Sequence, residues 1–154
     1  MSKITIVVGH SQQNSYCEAL GEAYKKGATS SGHSVEMFVL SRLIFDPILK
    51  KGYEEEQPFE PDLRTVYAAM KSSSHVVIIF PLWCGDMPAI LKGFIERLIQ
   101  PDLVRIQKSE KMTTNVGIFQ NLSARVVMAM GMPALLYRLY FGAHALKLLR
   151  RNIL

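Results

Sequence analysis

A polar loop at residues 9–17 carries the side chains best suited to binding an anion. It follows a short β-branched run, leads into a helical pattern, and contains His10, Ser15 and several side-chain amides. The first N–H groups of a helix lack partners within the helix, and the helix dipole favours negative charge there. The loop therefore predicts a phosphate site. In a second interpretation Ser15 and Glu18 form only a Ser-x-x-Glu capping box, and the glycine fingerprint of many dinucleotide sites is absent.

A second loop, residues 80–88, has features that suit a planar ring. An apolar strand pattern at residues 75–80 runs directly into it, and a helical pattern begins directly after it. Trp83 offers a flat apolar surface, and Gly85 allows a ligand to approach the backbone closely. Because aromatic residues contribute much burial energy, a position of Trp83 in the core is the alternative prediction.

Strand and helix patterns alternate along the chain and place both loops at one edge of a sheet. Their order, βαβαβαβα, with continuous apolar strands predicts a parallel sheet covered by helices on both faces. Ligands bind at the carboxyl ends of the strands in such sheets. Asp62 is the predicted cap of the second helix, and Pro101 is the predicted end of the third. The predicted strands are residues 4–8, 34–40, 75–80 and 124–130, and the predicted helices are residues 15–27, 63–70, 87–98 and 133–154.

Length and composition predict one domain, residues 1–154, since 154 residues with 49% hydrophobic content build a single sizeable core. The longest unbroken apolar run, residues 126–137, is shorter than the roughly 20 residues of a membrane-spanning helix. The N-terminus enters a strand pattern without the apolar region of a signal peptide, which predicts a cytoplasmic protein. Cys17 and Cys84 are too few for a disulfide framework or a zinc site, so we expect reduced thiols and no metal.

The net charge of +5 is concentrated near the C-terminus. Residues 125–154 carry five cationic side chains and no acidic one, among many leucines. This segment lacks a helix-turn-helix or zinc-finger pattern, so nucleic-acid binding is not expected. A basic, leucine-rich helix is also typical of membrane surfaces. We favour the alternative, in which the leucines pack on the sheet or on a partner subunit, and expect no membrane contact.

Three motifs along the chain resemble one known family. They are the segment from His10 to Ser15-Tyr16, the segment Phe45-Asp46-Pro47-Ile48, and Phe80-Pro81-Leu82-Trp83 followed by residues 87–93 and Glu96-Arg97. On these motifs the chain resembles the flavodoxin-like NAD(P)H:quinone oxidoreductases, which include the diaphorase-type quinone reductases and bacterial relatives. The resemblance implies a doubly wound parallel sheet with strand order 2-1-3-4.

The resemblance also implies a flavin site and the residues that form it. The diaphorase-type enzymes have a catalytic tyrosine and histidine. Tyr137 and His144 are the same residue types at a different spacing and are the candidate catalytic residues. The implied flavin-binding residues are His10, Ser15, Tyr16 and Cys17 for the phosphate; Pro81, Leu82, Trp83, Cys84 and Gly85 for the ring; and Gly131, Met132 and Pro133 for the loop after the fourth strand.

The implied activity is a ping-pong oxidoreduction in which NAD(P)H reduces FMN or FAD and a quinone-like acceptor then takes the electrons. The implied assembly is a homodimer. An alternative function is that of a non-catalytic redox or regulatory protein that binds flavin on the same fold.

The family continues into a fifth strand, whereas this chain stops at Leu154. Residues 124–130 are predicted to be buried on both faces, and a bare edge of such a strand is a template for pairing. We therefore expect either that the chain is truncated, which we favour, or that a partner chain covers this strand.

Overall fold

The computed structural model describes residues 1–108 and 122–154, with the backbone alone for residues 103–108. Its strands are β1 (Lys3–Val8), β2 (Ser34–Val39), β3 (His75–Pro81) and β4 (Ser123–Ala129). All three strand pairs are parallel, and the order across the sheet is β2-β1-β3-β4. The parallel sheet and its strand order confirm the predicted fold.

The helices are α1 (Tyr16–Ser30), α2 (Pro61–Ser72), α3 (Ala89–Lys108), α4 (Ala134–Leu139) and α5 (His144–Leu148). A 3-10 turn, Leu40–Arg42, follows β2, and a π-helical turn, Leu149–Ile153, follows α5. Leu63 of α2 and Leu91 of α3 belong to the apolar cluster on one face of the sheet. Cys17 of α1 belongs to the cluster on the other face. The sheet is therefore doubly wound, and the central strands β1 and β3 are buried along almost their whole length.

Two helix boundaries differ from the prediction. Pro61 occupies the first turn of α2, where its missing N–H costs nothing, so Glu60 is the N-cap residue. Asp62 instead accepts a hydrogen bond from the Ile44 N–H at 2.6 Å. Pro101 lies inside α3, which continues to Lys108. Gln100, beside Pro101, is fully buried and bonded to two loop carbonyls, and such tertiary contacts outweigh the roughly 3 kcal/mol penalty of an internal proline.

The predicted fourth helix is broken into α4, α5 and the π-helical turn. Gly142 and Ala143 have φ values of 66° and 50°, and this left-handed backbone cannot continue a right-handed helix. Four of the five predicted covering leucines do not pack on the sheet. Only Leu149 of the predicted covering residues is buried, at 0% exposure, whereas Leu135, Leu136, Leu139 and Leu146 are exposed.

Strand β4 is less buried than predicted. Ser123, Ala124 and Arg125 are exposed, and the next four residues are half-buried. The reason is position: β4 is the last strand in the sheet, and no described strand pairs with its outer edge.

Candidate functional site

The first loop ends in a helix cap at the carboxyl edge of β1. The Oγ of Ser15 accepts a hydrogen bond from the Glu18 N–H at 3.2 Å, and a Glu18 carboxylate oxygen accepts from the Asn14 N–H at 2.9 Å. Glu18 also forms an ion pair with Arg42. Ser15 therefore caps α1, as the second interpretation predicted. The Glu18 carboxylate accepts from the Asn14 N–H. Because the Ser15 hydroxyl is an acceptor in its bond with the Glu18 N–H, its own proton remains available to an anion.

Tyr16 and Cys17, the next two predicted phosphate residues, have opposite environments. Tyr16 is 71% exposed and Cys17 is 2% exposed. Burial raises the pKa of the Cys17 thiol. The Cys17 side chain therefore belongs to the core under α1, and only its backbone N–H faces the end of the helix.

His10 connects the first loop to the second loop, residues 80–88. Its ring is buried, and Nδ1 lies 2.8 Å from the backbone nitrogen of Gln12, which donates to it. Nδ1 also lies 3.1 Å from the Gln12 carbonyl oxygen, so both contacts fix the ring within its own loop. The ring packs edge to face against Trp83, with 5.0 Å between the centroids and 64° between the planes.

The second loop contains a tight reverse turn at residues 83–86. Trp83 and Asp86 exchange two backbone hydrogen bonds of 2.9 Å each. Between them Cys84 and Gly85 both have positive φ, 51° and 82°, as in the type I′ turns that close hairpins. Trp83 is 44% exposed, so the alternative, a tryptophan in the core, is wrong. The pair Cys84-Gly85, with glycine at the second central position, is the local sequence signal for this turn.

A cavity of about 280 Å³ lies between the loops that follow β3 and β4. It is at the small end of ligand pockets, which span roughly 300–1,000 Å³. Six of its lining residues are predicted site residues. Phe141 is the seventh and was missed, because nothing in its local sequence marks it as a site residue. We call this the loop cavity, and it is lined by Leu82, Cys84, Gly85, Met132, Tyr137, Phe141 and His144.

The two candidate catalytic residues both line the loop cavity. Tyr137 is 4% exposed, and its hydroxyl has no hydrogen-bond partner within the described residues. His144 is exposed, and its ring lies against Gly142. A Cβ atom on Gly142 would lie 2.8 Å from the His144 Nε2, so both this contact and the positive φ require glycine there.

The remaining predicted residues lie at or beyond the rim of this cavity. Gly131 and Pro133 are exposed and do not line it, although Met132 between them does. Pro133 precedes α4 as its N-cap residue. Pro81 is half-buried at the end of β3.

Arg97 and Gly93, which belong to the third motif, contact the segment from Asp46 to Glu60 and do not line the loop cavity. Arg97 is fully buried and donates to the Asp46 carbonyl oxygen at 2.6 Å, to the Pro58 carbonyl oxygen at 2.8 Å and to the Glu60 carboxylate at 2.9 Å. Burial opposes ionisation of Glu60, but the hydrogen bonds from Arg97 and the Asp46 N–H outweigh it and lower the Glu60 pKa. Gly93 is required by packing, since a Cβ there would lie 2.4 Å from the Pro47 carbonyl oxygen.

The comparisons with known proteins agree with this architecture. The family model described as a flavodoxin-like fold matches residues 2–152. The uncharacterized NAD(P)H oxidoreductase YcaK of Escherichia coli is 26% identical over 101 residues, which cover 62% of this chain and 52% of that protein. NAD(P)H dehydrogenase (quinone) 1 of Cavia porcellus is 25% identical over 119 residues, which cover 64% of this chain and 43% of that protein. The chain thus spans about half the length of the curated relatives it matches.

Two solved structures share the fold over almost the whole chain. The NAD(P)H:quinone oxidoreductase from Methanothermobacter marburgensis has a TM-score of 0.74 and 21% identity, covering 98% of this chain and 75% of that one. The protein Smu.1420 from Streptococcus mutans has a TM-score of 0.74 and 25% identity, covering 97% of this chain and 78% of that one. The family match and the strand order together show that the chain belongs to the flavodoxin-like fold family, as a relative of NAD(P)H oxidoreductases and quinone reductases.

Proposed function

We propose that this protein binds a flavin, FMN or FAD, and uses NAD(P)H to reduce a quinone or a similar small acceptor. The observation that carries the proposal is the contact between His10 and Trp83. It joins the loop before α1, where an anion is expected, to the turn beside the loop cavity, so the phosphate and the planar ring of one molecule would have adjacent sites. The names of the relatives, which are NAD(P)H oxidoreductases and quinone reductases, support the same activity.

The phosphate end of the proposed site uses neutral donors. The Ser15 hydroxyl and the first N–H groups of α1 would donate to the phosphate, helped by the helix dipole. His10 would position Trp83 through their ring contact. Tyr16 and Cys17 would contribute their backbone N–H groups.

The ring end of the proposed site is apolar. Trp83 would cover the edge of the ring, and the turn at Cys84 and Gly85 would bring the backbone close to it. Leu82 and Met132 would exclude water from the cavity. When bound, the flavin supplies the hydride chemistry, while the protein positions it and tunes its environment.

Tyr137 and His144 are the residues proposed to act on the acceptor. Reduction of a quinone to a hydroquinone consumes protons as well as electrons. Tyr137 would donate a hydrogen bond from its hydroxyl to an acceptor oxygen, and His144 would hold or transfer a proton. One small cavity would serve NAD(P)H and the acceptor in turn, which is the basis for proposing ping-pong kinetics.

Flavin titration followed by turnover assays tests the proposal. Quenching of FMN and FAD fluorescence on addition of protein measures binding and the preference between them. Oxidation of NADH or NADPH with a water-soluble benzoquinone measures turnover, and parallel double-reciprocal lines are expected for ping-pong kinetics. Light scattering tests the homodimer that the family resemblance implies. Absence of flavin binding would overturn the proposal.

The second candidate function is flavin binding without turnover, in a redox or regulatory protein. It predicts fluorescence quenching with no NAD(P)H oxidation in the same experiment. The Tyr137 hydroxyl has no hydrogen-bond partner within the described residues and is the observation that favours the enzyme, since a donor in the loop cavity suits an acceptor oxygen.

A further inference from the structure

An ion pair crosses from the end of β2 to the start of α1. Arg42 ends the 3-10 turn that follows β2, and its guanidinium is paired with the Glu18 carboxylate in the first turn of α1. The two residues are 24 positions apart in the chain. They meet because β1 and β2 are neighbouring parallel strands, so the segments that follow them lie at the same edge of the sheet. The pair therefore links the segment after β2 to the loop that contains the proposed phosphate site.

The Glu18 carboxylate is largely shielded from water, whereas Arg42 reaches it from the surface. The Glu18 side chain is 11% exposed and the Arg42 side chain is 49% exposed. A carboxylate with so little access to water needs a cation or hydrogen-bond donors as compensation. Arg42 supplies the cation, and within the described residues no other cationic side chain pairs with Glu18. The orientation of the Glu18 carboxylate thus depends on Arg42.

Glu18 differs from the glutamate of a usual capping box in the backbone group that it binds. In the usual box the glutamate accepts from the N–H of the N-cap residue, which is Ser15 here. Glu18 instead accepts from the N–H of the preceding residue, Asn14, at 2.9 Å. The Ser15 N–H then has no hydrogen-bond acceptor in the part of the chain that the structure describes. It adds one donor to the unpaired N–H groups at the start of α1.

The bond to Glu18 also holds Asn14 in an uncommon backbone conformation. Asn14 has a φ of 55°, in the left-handed region. Asparagine tolerates this region better than most residues, but such a conformation persists only where surrounding contacts fix it. Because Asn14 directly precedes the N-cap residue, its backbone conformation sets where residues 11–13 lie relative to the start of α1.

We infer that Arg42 is a positioning residue for the proposed phosphate site. Arg42 fixes the Glu18 carboxylate, Glu18 fixes the Asn14 N–H, and the shape of the loop before α1 follows from both contacts. Arg42 also balances the charge of Glu18, which would otherwise repel a phosphate bound at the same end of the helix. This inference rests on the proposed function, because the group to be bound is the phosphate of a flavin.

Fluorescence titration of Arg42→Gln with FMN and with riboflavin tests the inference. Riboflavin has the same ring but no phosphate. We expect the dissociation constant to rise about tenfold for FMN and to stay within about twofold of the parent value for riboflavin. Arg42→Lys keeps the charge and should recover most of the FMN affinity. Unchanged FMN affinity in Arg42→Gln, or equal losses for both flavins, would overturn the inference.

A double-mutant cycle separates action through Glu18 from direct attraction of the phosphate by Arg42. Glu18→Gln keeps an oxygen that can accept from the Asn14 N–H but has no charge to balance. In that background Arg42→Gln is expected to change FMN affinity by less than about twofold, because the two residues act as one unit. A tenfold loss in both backgrounds would mean direct attraction and would overturn the inference.

Lys26→Gln is the matched control for charge. Lys26 is exposed on the same helix, about 16 Å along the helix axis from Ser15. The substitution removes one positive charge, as Arg42→Gln does. FMN affinity is expected to stay within about twofold of the parent value, since salt screens a charge at that distance. A loss as large as that of Arg42→Gln would mean that only the net charge matters and would overturn the inference.

Amide hydrogen exchange, followed by NMR in the flavin-free protein, tests the link between Arg42 and Asn14 without a ligand. The Asn14 amide is expected to exchange about tenfold faster in Arg42→Gln than in the parent, because its acceptor is no longer held in place. The amide of Ile6, a fully buried residue of β1, should keep its rate and so report an intact fold. An unchanged Asn14 rate would overturn the inference even if FMN affinity falls.

The same titrations separate failure of this inference from failure of the proposed function. Binding of FMN by the parent protein, with no effect of Arg42→Gln, would overturn the inference and leave the proposed function intact. Absence of FMN binding by the parent protein would overturn the proposed function and the inference with it.

Discussion

The imidazole of His10 meets the indole of Trp83 edge to face, with 5.0 Å between the ring centroids. This contact joins loops that are 73 positions apart in the chain, as the residue numbers show, and lie side by side because β1 and β3 are neighbours. His10 is buried and Trp83 is exposed. The pair therefore has one side anchored in the fold and one side open to a ligand.

Replacement of Trp83 should separate cofactor binding from folding. We expect Trp83→Ala to weaken flavin binding by about 1–3 kcal/mol, the range measured when an aromatic platform under a planar base is removed. Urea unfolding of the flavin-free protein should change little, because the side chain is 44% exposed. Trp83→Phe keeps a ring and should keep most of the affinity. An equal loss of stability with and without flavin would contradict this assignment.

Ser15 variants should distinguish capping from phosphate binding. Ser15→Ala loses the bond from the Glu18 N–H and should cost about 0.5–2 kcal/mol of stability, together with flavin affinity. Ser15→Asp caps a helix equally well but places a negative charge where the phosphate is expected. We expect thermal stability to be retained and flavin titration to show lost binding. Normal binding by Ser15→Asp would place the phosphate elsewhere.

The two cysteines should react very differently with iodoacetamide. Cys84 is exposed in its turn, whereas Cys17 is buried and its pKa is raised by that burial. Because the thiolate is the reactive form, we expect mass spectrometry to find label on Cys84 and none on native Cys17 at neutral pH. Label should appear on Cys17 in denaturant. Saturating flavin should slow the labelling of Cys84 if the cofactor lies against its turn.

The Arg97 and Glu60 pair should make stability depend on pH at the acid end. The pKa of Glu60 is lower in the folded protein than in the unfolded chain. The ionised Glu60 therefore stabilises the fold above the unfolded-state pKa, and this stabilisation is lost as the pH falls through the folded-state pKa. Glu60→Gln should flatten this part of the stability profile in urea unfolding. Arg97→Ala should cost about 1–3 kcal/mol, since the half-buried Glu60 carboxylate and Asp46 carbonyl oxygen lose their donor. A flat acid profile in the parent protein would contradict the assignment.

Gly142 should be required for the position of His144. In Gly142→Ala the new Cβ would meet the His144 ring and the positive φ would be strained, so we expect lower turnover with flavin binding retained. Gly27→Ala is the control, because a Cβ there meets nothing within 4 Å and α1 favours alanine over glycine. Unchanged turnover in Gly142→Ala would remove His144 from the proposed mechanism.

Features that depend on local pattern were predictable from the sequence. The four strands and the first three helices follow from runs and spacings of apolar residues, and the Ser15 cap follows from its spacing to Glu18. The strand order came from motifs that resemble a known family, and the structure confirms it.

Other features depended on contacts between distant parts of the chain. Helix α3 passes through Pro101 because buried contacts beside it, such as those of Gln100, outweigh a local signal to stop. The sequence also contained Tyr137, Phe141 and His144, but only the backbone break at Gly142 brings them around one cavity. The exposure of the C-terminal leucines was decided in the same way. Their spacing predicted one continuous covering helix, whereas the left-handed backbone at Gly142 and Ala143 divides it, so the leucines before and after the break no longer share one face toward the sheet.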